Sequence, residues 1–171
     1  IDPREGDMVT KVALLDLTYK ELKGLITSWG SPRYRADQIA EWLYKHLATD
    51  FDQMHNLPLP LRERLKEKAE IQRLTVKAKI SSPDRLTRKL LFALPDGNTI
   101  ESVLMRYERR NTLCLSTQVG CPIGCPFCAT GQSGFVRDLS PGEITEQALY
   151  FAREERVTNI VFMGMGEPFL N

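Results

Sequence analysis

The stretch TQVGCPIGCPFCATG, Thr117 to Gly131, holds three of the chain's four cysteines. Cys121, Cys125 and Cys128 follow a C-x3-C-x2-C spacing, with glycines and prolines between them. A disulfide would use two of these thiols and strand the third, and a structural zinc ordinarily takes four ligands. Gly120 and Gly124 let the loop turn tightly, and Pro122 and Pro126 limit its freedom. Three soft thiolates on one loop suit three irons of a 4Fe-4S cluster, whose fourth iron is then open to a substrate. Cys114 keeps a four-thiolate zinc site open as the alternative, although it lies seven residues upstream of Cys121 inside an expected strand.

The flanks of the loop place it in a fold. NTLCLSTQ (111–118) reads as a strand running into it. Beyond it, Ser140 and Glu143 stand at capping-box spacing with Pro141 between them at the first helical position. Ile144, Ala148, Phe151 and Ala152 mark the apolar face of the helix that follows. TNIVFMGMGEP (158–168) reads as a buried strand ending in glycines. Strand, loop, helix and strand make a βαβ unit, with the cysteines after a parallel strand, where α/β folds place ligands. Two parallel strands cannot cover their own faces. The remaining strands must come from elsewhere, or the chain is a piece of a longer protein.

Upstream, the period of the apolar residues changes. LTVKAKI alternates, and RKLLFAL and TIESVLM flank the turn signal Pro95-Asp96-Gly97-Asn98, so a strand and a hairpin are expected. Residues 10–73 read instead as three short helices, the first opened by a Thr18/Glu21 capping box. Trp29 and Trp42 belong to their packing, and His46 and His55 read as surface or packing residues. The expected divisions are 1–9 as a tag or disordered start, 10–73 as a helical accessory domain, 74–110 as a β-rich linker and 111–171 as the cysteine-bearing domain.

Composition narrows the classes. At 171 residues and 42% apolar, the chain can bury one ordinary core, or one small and one partial domain. No apolar run approaches the length of a membrane span, and IDPREGDMV lacks a signal peptide's apolar stretch. Unevenly spaced thiols without a secretion signal argue for a metal or redox site in the reducing cytoplasm. Net charge is only +1, but residues 73–110 carry nine Lys and Arg against four Asp and Glu. Alone, that excess marks a solvated surface.

The C-x3-C-x2-C spacing, with Phe127 before the last cysteine, resembles the radical S-adenosylmethionine (SAM) enzymes. GMGEP (164–168) is similar to their segment that contacts the amino group of SAM, with Gly166 and Glu167 as the contacts. Over a longer span, TIESVLM, TLCLSTQVGCPIGCPFCATGQSGFVRDL and NIVFMGMGEPFLN together resemble the RlmN/Cfr group of RNA adenine methyltransferases, densely over residues 99–171. The resemblance implies an α/β fold: a small N-terminal helical bundle, a β-hairpin linker, then the first βαβ unit of a partial (β/α)6 radical SAM barrel. It implies a 4Fe-4S cluster on Cys121, Cys125 and Cys128, with SAM on the open iron. The implied substrates are 23S rRNA and tRNA, and the implied electron donor is a flavodoxin or ferredoxin, with no membrane.

In that family one SAM methylates a cysteine near the far C-terminus, and a second yields the radical that activates the methyl. The carbon then adds to C2 or C8 of adenine, and a second cysteine helps release the product. Cys114, in TLCLS, matches that second cysteine and so leaves the ligand set. Glu101, in IESV, matches the proton acceptor, with Cys114 as the other candidate for that transfer. The motifs fit the C2 enzymes more closely. The methyl-carrying cysteine has no counterpart, since no cysteine follows Cys128, and the chain is expected not to transfer methyl groups by itself. The RNA substrate also makes Arg106, Arg109 and Arg110 candidates for phosphate contacts. The alternatives are a four-cysteine zinc module binding RNA or protein, and a radical SAM maturase of a protein substrate.

Overall fold

The computed structural model describes residues 11–171, so the start set aside above lies outside the described residues. The chain divides between Gln72 and Arg73 into two compact units. The first is helical. A two-residue strand, β1 (Val12–Ala13), precedes α1 (Tyr19–Ser28), α2 (Tyr34–Tyr44) and α3 (Leu59–Lys68), and β1 pairs in parallel with β2 (Ala69–Glu70). That ladder is too short to leave a period in the sequence. The Thr18/Glu21 capping box forms as expected. Leu22, Ile26, Ile39, Leu43, Met54 and Leu65 fill the core. Trp42 is half-buried, donates to Asn56 Oδ1 at 2.7 Å and packs its ring on His46 and His55.

The second unit is built on one mixed sheet. Its strands are β3 (Thr75–Ser81), β4 (Thr87–Ala93), β5 (Thr99–Arg106), β6 (Asn111–Cys114) and, late in the chain, β9 (Asn159–Val161). They lie in the order β3-β4-β5-β6-β9, antiparallel except for β6 beside β9. The two parallel strands are therefore extended by the upstream hairpin strands. A 14-residue helix, α5 (Pro141–Glu154), opened by the expected Ser140/Glu143 box, lies on one face of the sheet. Leu90, Phe92, Ile100, Leu104, Leu113 and Phe151 make the core between them.

Three expectations change. The strand read over 111–118 ends at Cys114, because the backbone of Ser116 and Thr117 turns to other partners. The segment between the cysteines and α5 is not all loop. It holds a short helix, α4 (Ala129–Gln132), and a strand, β8 (Phe135–Asp138), that pairs with β7 (Gln118–Gly120) just before the first of the three cysteines. The last strand is not buried. Ile160 is 47% and Met163 80% exposed, because β9 is the sheet's edge among the described residues.

Candidate functional site

Strand register decides which side chains share a face. Val103 of β5 stands opposite Cys114 of β6, and Lys89 of β4 opposite Val103. Glu101, two residues before Val103, therefore shares a face with Cys114, and that face is the one α5 does not cover. Glu101 is half-exposed and pairs with Lys89, Oε1 to Nζ, at 2.9 Å. Cys114 is 9% exposed. Burial pushes its thiol pKa up, against a smaller opposing pull from the Met163 amide, so at neutral pH it is a protonated thiol.

The three-cysteine loop follows β7, the short strand just beyond the C-terminal end of β6. Its entrance is closed by backbone: the Cys121 amide donates to the Gly134 carbonyl at 3.0 Å. Gly120 is in the left-handed region (φ +75°), and a Cβ there would stand 1.9 Å from the Gly134 oxygen, so no other residue fits. At the exit, the Cys128 amide donates to the Cys125 carbonyl at 3.1 Å, and Gln132 Nε2 donates to the Pro126 carbonyl at 2.6 Å. Amides of Gly131 and Thr130 at the start of α4 lower the Cys128 pKa toward the thiolate that metal binding needs.

Among the described residues, no three Cys, His, Asp or Glu side chains are gathered around one point as a single ion requires. Cys114 is held in β6, opposite Val103 of β5 and Val161 of β9. A cubane cluster makes a different demand, since each thiolate takes a separate iron. Three half-buried thiols on one tied loop, one of them biased to the thiolate, fit that donor set.

The glycine-rich segment is zipped along the residues that lead into the loop. The Gly164 amide donates to Leu115 O at 3.0 Å, Met165 N to Ser116 Oγ at 2.9 Å, and Glu167 N to Gln118 Oε1 at 2.8 Å. Gly166 has φ +100°, and a Cβ there would meet the Gln118 Cβ at 2.6 Å. The Glu167 carboxylate accepts from the Phe169 amide at 3.0 Å. The structure thus puts Glu101 and Cys114 on one face of the sheet and ties the Gly166–Glu167 segment to residues 115–118, between the end of β6 and the three-cysteine loop.

The arginines are elsewhere. Arg106, Arg109 and Arg110 surround the β5–β6 turn, at the opposite end of β6 from the cysteines. Arg106 is held by the Glu155 carboxylate through Nε, at 2.7 Å, and through a second guanidinium nitrogen. Arg110 lies over the Tyr107 ring, 4.6 Å from its centroid. Sequence reasoning missed two buried polar residues behind the site, Ser116 and Gln147. A signal was present for the second: Gln147 interrupts the apolar stripe of α5, three residues after Ile144 and four before Phe151.

Residues 12–71 match the ribosomal RNA large subunit methyltransferase N-terminal domain, and residues 115–171 match the radical SAM superfamily. The chain is 52% identical over 160 residues to a probable dual-specificity RNA methyltransferase RlmN of Thermotoga neapolitana, covering 92% of this chain and 47% of that protein. It is 48% identical over 166 residues to the dual-specificity RNA methyltransferase RlmN of Syntrophotalea carbinolica, covering 96% of this chain and 44% of that protein. The crystal structure of a radical SAM methyltransferase from Sphaerobacter thermophilus superposes with a TM-score of 0.88 at 47% identity, over 94% of this chain and 48% of that one. The chain spans about half the length of the curated relatives it matches. Both units and the cysteine loop lie within these matches, and the chain belongs to the RlmN family of radical SAM proteins.

Proposed function

We propose that these residues bind the cluster and supply the proton acceptor in an enzyme that methylates C2 of an adenosine in 23S rRNA, and in tRNA, through a cysteine-bound methyl. The observation that carries this is the shared face of Glu101 and Cys114, at the end of β6 that leads through β7 to the three-cysteine loop. Cys121, Cys125 and Cys128 hold the 4Fe-4S cluster. Gly166, lacking a side chain, lets the amino end of SAM approach the backbone, and the Glu167 carboxylate suits its ammonium. When bound, the cluster and SAM supply a methyl group and the one-electron chemistry that activates it. Glu101 accepts the proton from the adenine carbon through its carboxylate. Cys114, kept as a neutral thiol by burial, assists release of the product.

The dual-specificity relatives support RNA as the substrate, and a flavodoxin or ferredoxin is the electron donor this chemistry asks for. No helix among the described residues is long and apolar enough to cross a membrane. No cysteine follows Cys128, so the methyl-carrying thiol is not among these 171 residues, and they are proposed not to turn over by themselves. Anaerobic reconstitution with iron and sulfide tests the centre. A brown protein with about four irons per chain, whose colour is lost on Cys121→Ala, is the expected result. A colourless protein holding one zinc would overturn it in favour of an RNA- or protein-binding zinc module.

A further inference from the structure

We infer that Ser116 is a positioning residue for the SAM-contacting segment, splinting it to the strand that carries Glu101, with Gln147 as its buried support. Ser116 is fully buried. Its hydroxyl donates to the Glu101 carbonyl at 2.6 Å and accepts from the Met165 amide at 2.9 Å. One oxygen atom thus links β5, at the residue assigned as proton acceptor, to the residue immediately before Gly166 and Glu167.

The hydroxyl is free for this because another side chain takes the serine's backbone. Past Cys114 the β6 ladder has ended, and Ser116 would have no partner for its amide or carbonyl. Gln147 of α5, also fully buried, fills both places: Oε1 accepts from Ser116 N at 3.0 Å, and Nε2 donates to Ser116 O at 3.0 Å. The same Oε1 accepts from Ser102 Oγ at 2.7 Å, and Nε2 also donates to Glu143 O at 3.2 Å. The carboxamide acts as a short strand partner that presents Ser116 in one orientation. Buried polar groups with every hydrogen bond made are rigid, and losing one leaves its partners unsatisfied. Without the Ser116 hydroxyl, the Met165 amide loses its acceptor, and the residue before Gly166 is held only by its carbonyl, which accepts from the Thr117 and Gln118 amides.

The inference rests on the assignment of Gly166 and Glu167 to SAM, and two measurements on the anaerobically reconstituted protein separate the two. Amide hydrogen exchange over residues 162–168 reads the splint without SAM. The change in the reduced cluster's EPR signal on SAM titration reads affinity. Ser116→Ala is compared with Ser102→Ala, which removes a bond to the same Gln147 oxygen but touches no residue of the glycine-rich segment. Ser116→Ala is expected to speed exchange at Met165 and weaken SAM binding about tenfold, the effect of one lost hydrogen bond, with iron content unchanged. Ser116→Thr, which keeps the hydroxyl, should restore both, and Ser102→Ala should change neither beyond about twofold. Equal effects of the two alanine variants on exchange and affinity would overturn the splint. If the parent protein binds no SAM while exchange at Met165 still responds only to Ser116→Ala, the splint stands and the SAM assignment falls.

Discussion

The two faces of the second unit's sheet are made from the same strands and do different work. Against α5 lie Leu90, Phe92, Ile100, Leu104 and Leu113, all fully buried. On the other face the same strands present Lys89, Glu101 and Val103, half-exposed, and Cys114 at its edge of burial. A period of two residues is enough to separate them. Stability is concentrated on the first face, where every side chain removed leaves a cavity. On the second, where the proposed function puts its chemistry, the main interaction of Glu101 is an ion pair open to water, worth no more than about 1 kcal/mol. Substitutions on the two faces should therefore fail in different ways.

The largest expected effect is on the covered face. Phe92 is fully buried and meets the Tyr150 ring edge-on at 5.2 Å between centroids. Phe92→Ala should cost about 3–5 kcal/mol, read as a fall in the denaturant midpoint. If stability drops by less than about 1 kcal/mol, the face is not the close-packed support described here. Next comes the open face. Glu101→Gln removes the carboxylate but keeps its size, so unfolding should shift by under about 0.5 kcal/mol. On the proposed function, a longer chain that carries the methyl-bearing cysteine, assayed on RNA, should lose about 10²–10⁴-fold in methyl transfer with this substitution, the usual worth of a positioned acid or base. A large loss of stability with activity preserved would reverse the assignment of the two faces.

The covered face was largely legible beforehand. The turn signal Pro95-Asp96-Gly97-Asn98 between RKLLFAL and TIESVLM placed β4 and β5, and the Ser140/Glu143 box placed the start of α5. The two faces of β9 were not separated, because NIVF is apolar at nearly every position, so no period says which side meets a neighbour. The open face was legible in kind and not in position. The cysteines and glycines announced the loop, but Glu101 and Cys114 lie 13 residues apart in sequence and come to one face only through an antiparallel register. No local pattern encodes that register. Ser116 was hidden for a similar reason: its partners, Glu101, Gln147 and Met165, come from three separate segments. The phosphate contact expected of Arg106 also turns on a distant residue, because Glu155 holds its guanidinium. Arg109 and Arg110 remain in the exposed turn.

The smallest effect lies where the sheet meets the cysteine loop. Arg137 of β8 donates to Asp96, in the β4–β5 turn, at 2.6 Å, and through two nitrogens to the buried Glu143 at 2.8 and 2.9 Å. The Arg137 hydrogen bond holds the Asp96 carboxyl down to about 2, from an ordinary 3.8. A carboxyl depressed in the folded state stabilises it above its unfolded pKa, and the contribution disappears as pH falls through the folded pKa. The window is therefore pH 3.8 down to about 2. Glu146 works the other way: burial raises its pKa, so protonation in acid relieves a cost of folding. The difference between the parent protein and Asp96→Asn isolates the first term. The Asp96 side chain is 38% exposed, and screening keeps the difference below about 1 kcal/mol. Unfolding followed from pH 5 to pH 2 should show the parent's advantage over Asp96→Asn shrink as the acid limb is entered. A gap that stays constant across that window would mean the Arg137 contact does not tie the β4–β5 turn to the loop's far strand.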